Sequence, residues 1–186
     1  MLIVVSVGTD HHRFDRLLGL AAAAADRLGA DMVAQSGFTP PPAGSESVDF
    51  MPATELAELM GRADAVVCHG GPGTIALARS VGHRPIVVAR DPELGEHVDD
   101  HQMRFAGKLA AEDVVDCASS LDDLIALLSN PRPRLQERTG QTNEDAVRQF
   151  AALVESLMAG TLAPRRWRDR FLLRRVDRPR TSSGPR

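Results

Sequence analysis

Aromatic rings, lysine and cysteine are scarce in this chain of 186 residues, and each scarcity removes a class of explanation. There is no tyrosine, one tryptophan (Trp167) and one lysine (Lys108). A body that is poor in rings and acidic in net charge offers neither stacking platforms nor a basic groove, which argues against nucleic acid as a partner. The two cysteines, Cys68 and Cys117, lie about fifty residues apart in apolar surroundings. They are too few for a disulfide scaffold and read as reduced, buried thiols. Long apolar runs are missing too. The uncharged stretch Leu17–Ala25 is far short of the roughly 20 residues that span a bilayer. The start, Met1 to Val7, lacks the basic flank and cleavage site of a secretory signal, so a cytoplasmic location is expected.

What is present suits a folded domain. Apolar residues make up 43% and charged residues 25%, and the length predicts one domain or one domain with a tail. The net charge of -3 hides a split. Residues 165–186 hold nine arginines against Asp169 and Asp177, a local +7, which leaves -10 for the remainder. The expected division is a domain over 1–160 and a basic tail over 161–186. Such a tail suits an anionic membrane surface or an acidic protein face, and equally a solvated arm.

Strand and helix signals alternate. Strands are expected at 2–7, 31–35, 47–51, 65–68, 85–89 and 113–116. Helices are expected at 13–28, closed by Gly29, at 53–60, 74–81 and 98–111, from Ser120 to Pro131, and at 143–158. The strand runs are too apolar for a one-sided sheet. The predicted fold is therefore α/β, a Rossmann-like parallel sheet of about six strands with helices on both faces. Ligands in such sheets sit at the carboxyl ends of the strands, which directs attention to the loops after residues 7, 51, 68 and 89.

The third of these loops, His69-Gly-Gly-Pro-Gly-Thr74, follows a strand and opens a helix. Its glycines permit close backbone approach, and free N–H groups at a helix start favour an anion. It is neither a P-loop nor a Rossmann dinucleotide fingerprint, and taken alone it is equally a plain helix-opening turn. Val7-Gly8-Thr9-Asp10 repeats the design on a smaller scale. Phe50-Met51-Pro52 offers apolar surface to a flat base, or simply packs at a strand end. The loop from Arg90 to Gln102 is rich in groups that bond hydroxyls. His97 and His101 with Asp100 form a conceivable metal set, but the His-Glu-x-x-His pattern is not matched, and sugar recognition fits better. A polar helix start in which Glu96 and Asp99 complement the dipole is the plain alternative.

Four stretches together carry a resemblance: Val5-Ser-Val-Gly-Thr9 with Phe14-Asp15, Ala63 to Ile75, Arg84-Pro-Ile-Val-Val88, and Asp99-Asp-His-Gln102. In this order, over about residues 1–116, the chain resembles the donor-binding half of GT-B glycosyltransferases. This is the family 28 C-terminal domain, and more specifically the small subunit of bipartite N-acetylglucosaminyl transferases. The resemblance implies that Gly8, Thr9, Gly70, Gly71, Gly73 and Thr74 hold the diphosphate of a UDP-sugar, with His69 beside it as the candidate catalytic group. It implies that Phe50 and Met51 contact the uracil and that Asp100, His101 and Gln102 face the sugar. No metal or cofactor is implied. Acceptor, base and membrane attachment are expected from a partner subunit. One departure stands out: relatives usually place an acidic ribose contact where this chain has Leu77, and Asp99 and Asp100 stand where Asn is common. The expected function is transfer of a sugar, N-acetylglucosamine in the first instance, to a lipid-linked or polysaccharide acceptor. The alternatives are a non-catalytic nucleotide-sugar-binding or assembly module and a stand-alone transferase acting on a small acceptor.

Overall fold

The computed structural model describes residues 1–135, 148, 150–152 and 154–156. Six strands form one parallel sheet: β1 (Leu2–Ser6), β2 (Asp31–Gln35), β3 (Glu46–Val48), β4 (Ala65–Cys68), β5 (Ile86–Val87) and β6 (Asp116–Cys117). Their order is β3-β2-β1-β4-β5-β6, with β1 and β4 adjacent at the centre. The helices are α1 (Asp15–Leu28), α2 (Ala53–Arg62), α3 (Pro72–Ser80), α4 (His101–Ala111) and α5 (Leu121–Ser129). This confirms the predicted parallel α/β sheet.

Period-two alternation in β1 explains why both faces need cover. Ile3, Val5 and Val7 point to one side, where Leu17, Leu18 and Ala21 of α1 meet Leu124 and Leu128 of α5. Val4 and Val66 point to the other, against Leu56 and Met60 of α2 and Ala78 of α3. A third cluster joins Ile75 of α3 to Phe105 and Leu109 of α4, and includes Phe150. Phe150 and the helical residues around it support a terminal helix; the rest of the 143–158 span, and the basic tail, lie outside the described residues.

The element ends hold local rules. Gly29 closes α1 in the left-handed conformation, at φ 59°, and its N–H bonds back to the last turn. Ser120 and Asp123 form a reciprocal capping box at the start of α5. Several boundaries differ from expectation. Strand β3 stops at Val48, so Phe50 and Met51 stand in the loop before α2. Helix α2 runs past Gly61 to Arg62. Helix α3 begins at Pro72, because proline at the first helical position forfeits no hydrogen bond. Strand β6 is Asp116–Cys117 rather than 113–116, because Asp113 turns through φ 63° before the chain rejoins the sheet. Cys68 is buried as expected, but Cys117 is only half-buried; both thiols are free.

Candidate functional site

The carboxyl ends of β1, β4 and β5 gather three loops above the centre of the sheet, where the order reverses direction at β1 and β4. The loop after β4 meets α3 head-on. Gly71 is the N-cap in extended conformation, Pro72 takes the first helical position, and Gly73 and Thr74 complete the first turn. Among the described residues no acceptor engages the N–H groups of Gly70, Gly71, Gly73 or Thr74. Four amides at the positive end of a nine-residue helix are thus left for a ligand or water.

The glycines have a first duty inside the protein. A Cβ on Gly8 would stand 2.3 Å from Cε1 of His69, and one on Gly71 would stand 2.1 Å from its Nε2. The imidazole is therefore seated between two loops that cannot carry side chains there. A Cβ on Gly70 would press on Gln102, 3.2 Å from its Cβ and its carbonyl oxygen. Gly73 alone faces open space. Gly8, Gly70 and Gly71 thus make room for His69 and Gln102.

His69 is almost fully buried, and burial, followed by the charge of Arg90, pushes its pKa down to about 4. It is a neutral imidazole at ordinary pH. Its Nδ1 and the Oε1 of buried Gln102 have no partner among the described residues. Of these atoms Nδ1 lies beside Gly8 and Oε1 beside Gly70. Such atoms are uncommon in folded chains; among the described residues Gln35 Oε1, Arg84 Nε and Arg90 Nε are the other buried side-chain atoms without a hydrogen bond.

The other predicted residues divide. Thr9 is exposed, next to Gly8. Asp100 is the exposed N-cap of α4, 3.9 Å from Arg104, and exposed His101 pairs with Asp99. Of the Asp-His-Gln run, only Gln102 turns inward to the cradle. Phe50 is exposed and meets Phe38 edge-on at 5.2 Å, whereas half-buried Met51 packs against the cluster of α2 and α3. Leu77 packs against that same cluster.

Sequence reasoning missed the struts that hold the loops. Arg90 is completely buried, and its guanidinium donates to the carbonyls of Val7, His12, Arg13 and Glu96 at 2.9 to 3.2 Å while lying 4.6 Å over the Phe14 ring. Glu96 accepts two hydrogen bonds from the guanidinium of Arg16, at 2.9 and 2.7 Å, together with the N–H of Asp91. Glu96 does not open a helix, since α4 starts five residues later. Together Arg90 and Arg16–Glu96 clamp the first loop to the fourth. Nothing local to Arg90 signals this, because its acceptors are up to 83 positions away.

Asp10 completes the rim. Burial would raise its pKa, but the N–H and ring of His12, at 2.8 and 2.6 Å, and the nearby charge of Arg90 outweigh it and hold the carboxylate at about 2. No helix among the described residues is long and apolar enough to cross a membrane.

The sheet order and the helices packed on both faces define a Rossmann-like α/β domain. The sequence profile of the glycosyltransferase family 28 C-terminal domain matches residues 30–155, about two thirds of the chain. The chain belongs to that family. The matched span includes His69–Thr74 and Asp100–Gln102 but starts after Gly8 and Thr9. Among solved structures it is similar to CalG4, the calicheamicin glycosyltransferase, with 15% identity and a TM-score of 0.45. That similarity covers 88% of this chain and 44% of the other, so the chain spans less than half the length of that protein. No curated protein matches the sequence.

Proposed function

We propose that this chain is the donor-binding unit of a glycosyltransferase that takes a UDP-sugar, N-acetylglucosamine in the first instance. The observation that carries the reading is the set of unbonded amides at Gly70, Gly71, Gly73 and Thr74, flanked by unpartnered His69 Nδ1 and Gln102 Oε1. Membership of the family 28 domain supports sugar transfer as the chemistry. In the proposed step an acceptor hydroxyl attacks the anomeric carbon with inversion, the bond to the diphosphate oxygen breaks, and the acceptor proton passes to a base. Negative charge grows on the departing diphosphate, where the amides and the end of α3 are already aimed. Gln102 is assigned to the sugar, Thr9 and Gly8 to the diphosphate rim, and Phe50 to the uracil. His69, neutral and deeply seated, is assigned a positioning role beside the diphosphate.

The acceptor and the base are assigned to a partner acceptor-binding subunit at a membrane, with a lipid-linked or polysaccharide acceptor. Residues 165–186 are assigned to docking on that subunit or on anionic lipid, at about 1 kcal/mol per arginine near the surface. No metal takes part in this transfer step. Calorimetric titration of the full chain with UDP, UDP-N-acetylglucosamine and ADP tests the donor assignment. Saturable binding that favours the uridine ligands supports it, and no binding at millimolar concentration overturns it. A second reading, a binding or assembly module without catalysis, is favoured by Leu77, whose apolar packing leaves no carboxylate for a ribose at that position. Turnover on mixing with the partner subunit separates the two.

A further inference from the structure

Four of the six histidines of the chain converge on one patch at the rim of the site. His11 and His12 come from the loop after β1, His97 and His101 from the loop after β5 and the start of α4. Ring centroids are 4.1 Å apart for His11 and His12, 5.7 Å for His12 and His97, and 4.8 Å for His97 and His101. Two carboxylates lie among them. Asp10 is the hub: its Oδ1 is 2.6 Å from Nδ1 of His12 and 3.9 Å from Nδ1 of His11, and its Oδ2 is 3.7 Å from Nε2 of His97. The other nitrogen of His97, Nδ1, accepts from the backbone N–H of Asp99 at 3.4 Å and lies 3.4 Å from its carboxylate, which also pairs with His101.

Ordinary surface electrostatics does not account for the arrangement. Arg16 is committed to Glu96 and to the carbonyl of Ala89, and Arg90 gives its hydrogen bonds to four carbonyls rather than to Asp10. The carboxylate at the hub is served by imidazoles alone among side chains. His97 is only 10% exposed on a loop whose neighbours Val98 and Asp99 are exposed. The ligand atoms of Asp10, His11 and His12 lie within 4.8 Å of one another, and those of His97, Asp99 and His101 form a second such set. Tetrahedral coordination with bonds near 2.0 to 2.1 Å puts neighbouring ligand atoms about 3.3 to 3.5 Å apart. The spacings around Asp10, 2.6 to 3.9 Å, bracket that value.

We infer that Asp10, His11, His12 and His97 form a site for one divalent transition-metal ion of the zinc type, with Asp99 and His101 orienting His97 from behind. Imidazole-rich sets with one carboxylate select zinc, cobalt or nickel over magnesium and calcium, which prefer all-oxygen shells. The carboxylate behind His97 is the outer support that metal-binding histidines usually have. The ion would join the first loop to the fourth, parallel to the struts of Arg90 and Arg16–Glu96. This departs from the expectation that the chain takes no metal, and it does not rest on the donor reading.

The test uses the full chain without nucleotide. Titration with Zn2+, Co2+ and Mg2+ is expected to give one Zn2+ or Co2+ per chain, visible absorption of tetrahedral Co2+, and no Mg2+ binding at the same concentrations. Asp10→Asn and His12→Ala should each weaken Zn2+ binding about tenfold or more, and His101→Ala, an outer support, by less than either. In wild type, Zn2+ should shift the imidazole NMR signals of His11, His12 and His97 and spare His83, on the far side of the core. That readout needs no variant to fold. Failure to bind Zn2+ or Co2+ at millimolar concentration overturns the inference, as does binding that leaves those three signals unmoved or survives both ligand substitutions unchanged. Because UDP binding is measured separately in the presence of chelator, failure of either proposal is distinguishable from failure of the other.

Discussion

The imidazole of His69 occupies the space that a side chain on Gly71 would need: a Cβ there would lie 2.1 Å from its Nε2. Gly71 has ordinary extended dihedrals, φ -77° and ψ 132°, so alanine at this position meets no backbone penalty. Its whole cost is collision with a buried ring.

Gly71→Ala should therefore destabilise the fold by about 1 to 3 kcal/mol, the range for overpacking a filled interior. Gly8→Ala should cost about 1 kcal/mol more, because Gly8 also sits at φ 81°, where an L side chain is strained. In a His69→Ala background the Gly71→Ala cost should vanish. Urea denaturation of the four chains in the double-mutant cycle measures the coupling, and additivity would show that the ring and the glycine do not compete for space.

Acid should loosen the site through His69. Its folded pKa of about 4 lies below the ordinary imidazole value of 6.5, because burial disfavours the charged ring. Between those values the unfolded chain binds more protons than the folded one, so stability is full above about pH 6.5 and falls as pH drops toward 4. The loss from this residue is on the order of 3 kcal/mol. His83 is shifted in the same direction by burial and adds to the slope. His69→Gln, which does not titrate, should flatten the stability profile between pH 4 and 6.5 in thermal unfolding. An unchanged slope would show that His69 is not a buried neutral ring.

Arg90→Met should be far more damaging than its loop position suggests. Removing the guanidinium strands the carbonyls it serves at Val7, His12, Arg13 and Glu96, and the expected loss is about 3 to 5 kcal/mol. Arg90→Lys should recover only part of this, because an ammonium lacks the planar fork that reaches four acceptors. Denaturant midpoints give the ranking, and a neutral Arg90→Met would remove the strut from the account.

Alternation of apolar strands with capped helices is a local property, which is why the parallel sheet, the Gly29 terminus and the Ser120 start were legible in the sequence. The loops at the carboxyl ends were legible for the same reason, since glycine clusters announce where backbone must approach something. What the glycines approach was not legible. The neighbour of Gly8 is His69, and the neighbour of Gly70 is Gln102, and no short-range pattern encodes either pair. The charged loop from Arg90 to Gln102 misled in a similar way. Arg90 and Glu96 read as hydroxyl-binding groups or a helix start, but their partners on the first loop and α1 turn them into scaffold. The histidine patch joins segments about 85 positions apart and had no signature beyond His97 and His101 being four residues apart.

The division of labour at the cradle yields the most discriminating ligand prediction. Thr74 lies in the first turn of α3 with its N–H unbonded, and Gly73 beside it faces open space, so neither residue supports the core. Thr74→Ala keeps that N–H and removes the hydroxyl assigned to the same diphosphate; it should leave the denaturation midpoint nearly unchanged while weakening UDP and UDP-sugar alike by about tenfold, the worth of one hydrogen bond to a charged group. Gln102 is different, because its side chain lies over Gly70 with Oε1 unsatisfied. Gln102→Ala should weaken the UDP-sugar by a comparable factor and leave UDP itself within about twofold, since the amide is assigned to the hexose and not to the phosphates. Paired titrations with UDP and UDP-N-acetylglucosamine on the two variants resolve this. If Gln102→Ala weakens both ligands equally, the amide belongs to the diphosphate; if it weakens neither, the sugar lies elsewhere on the rim.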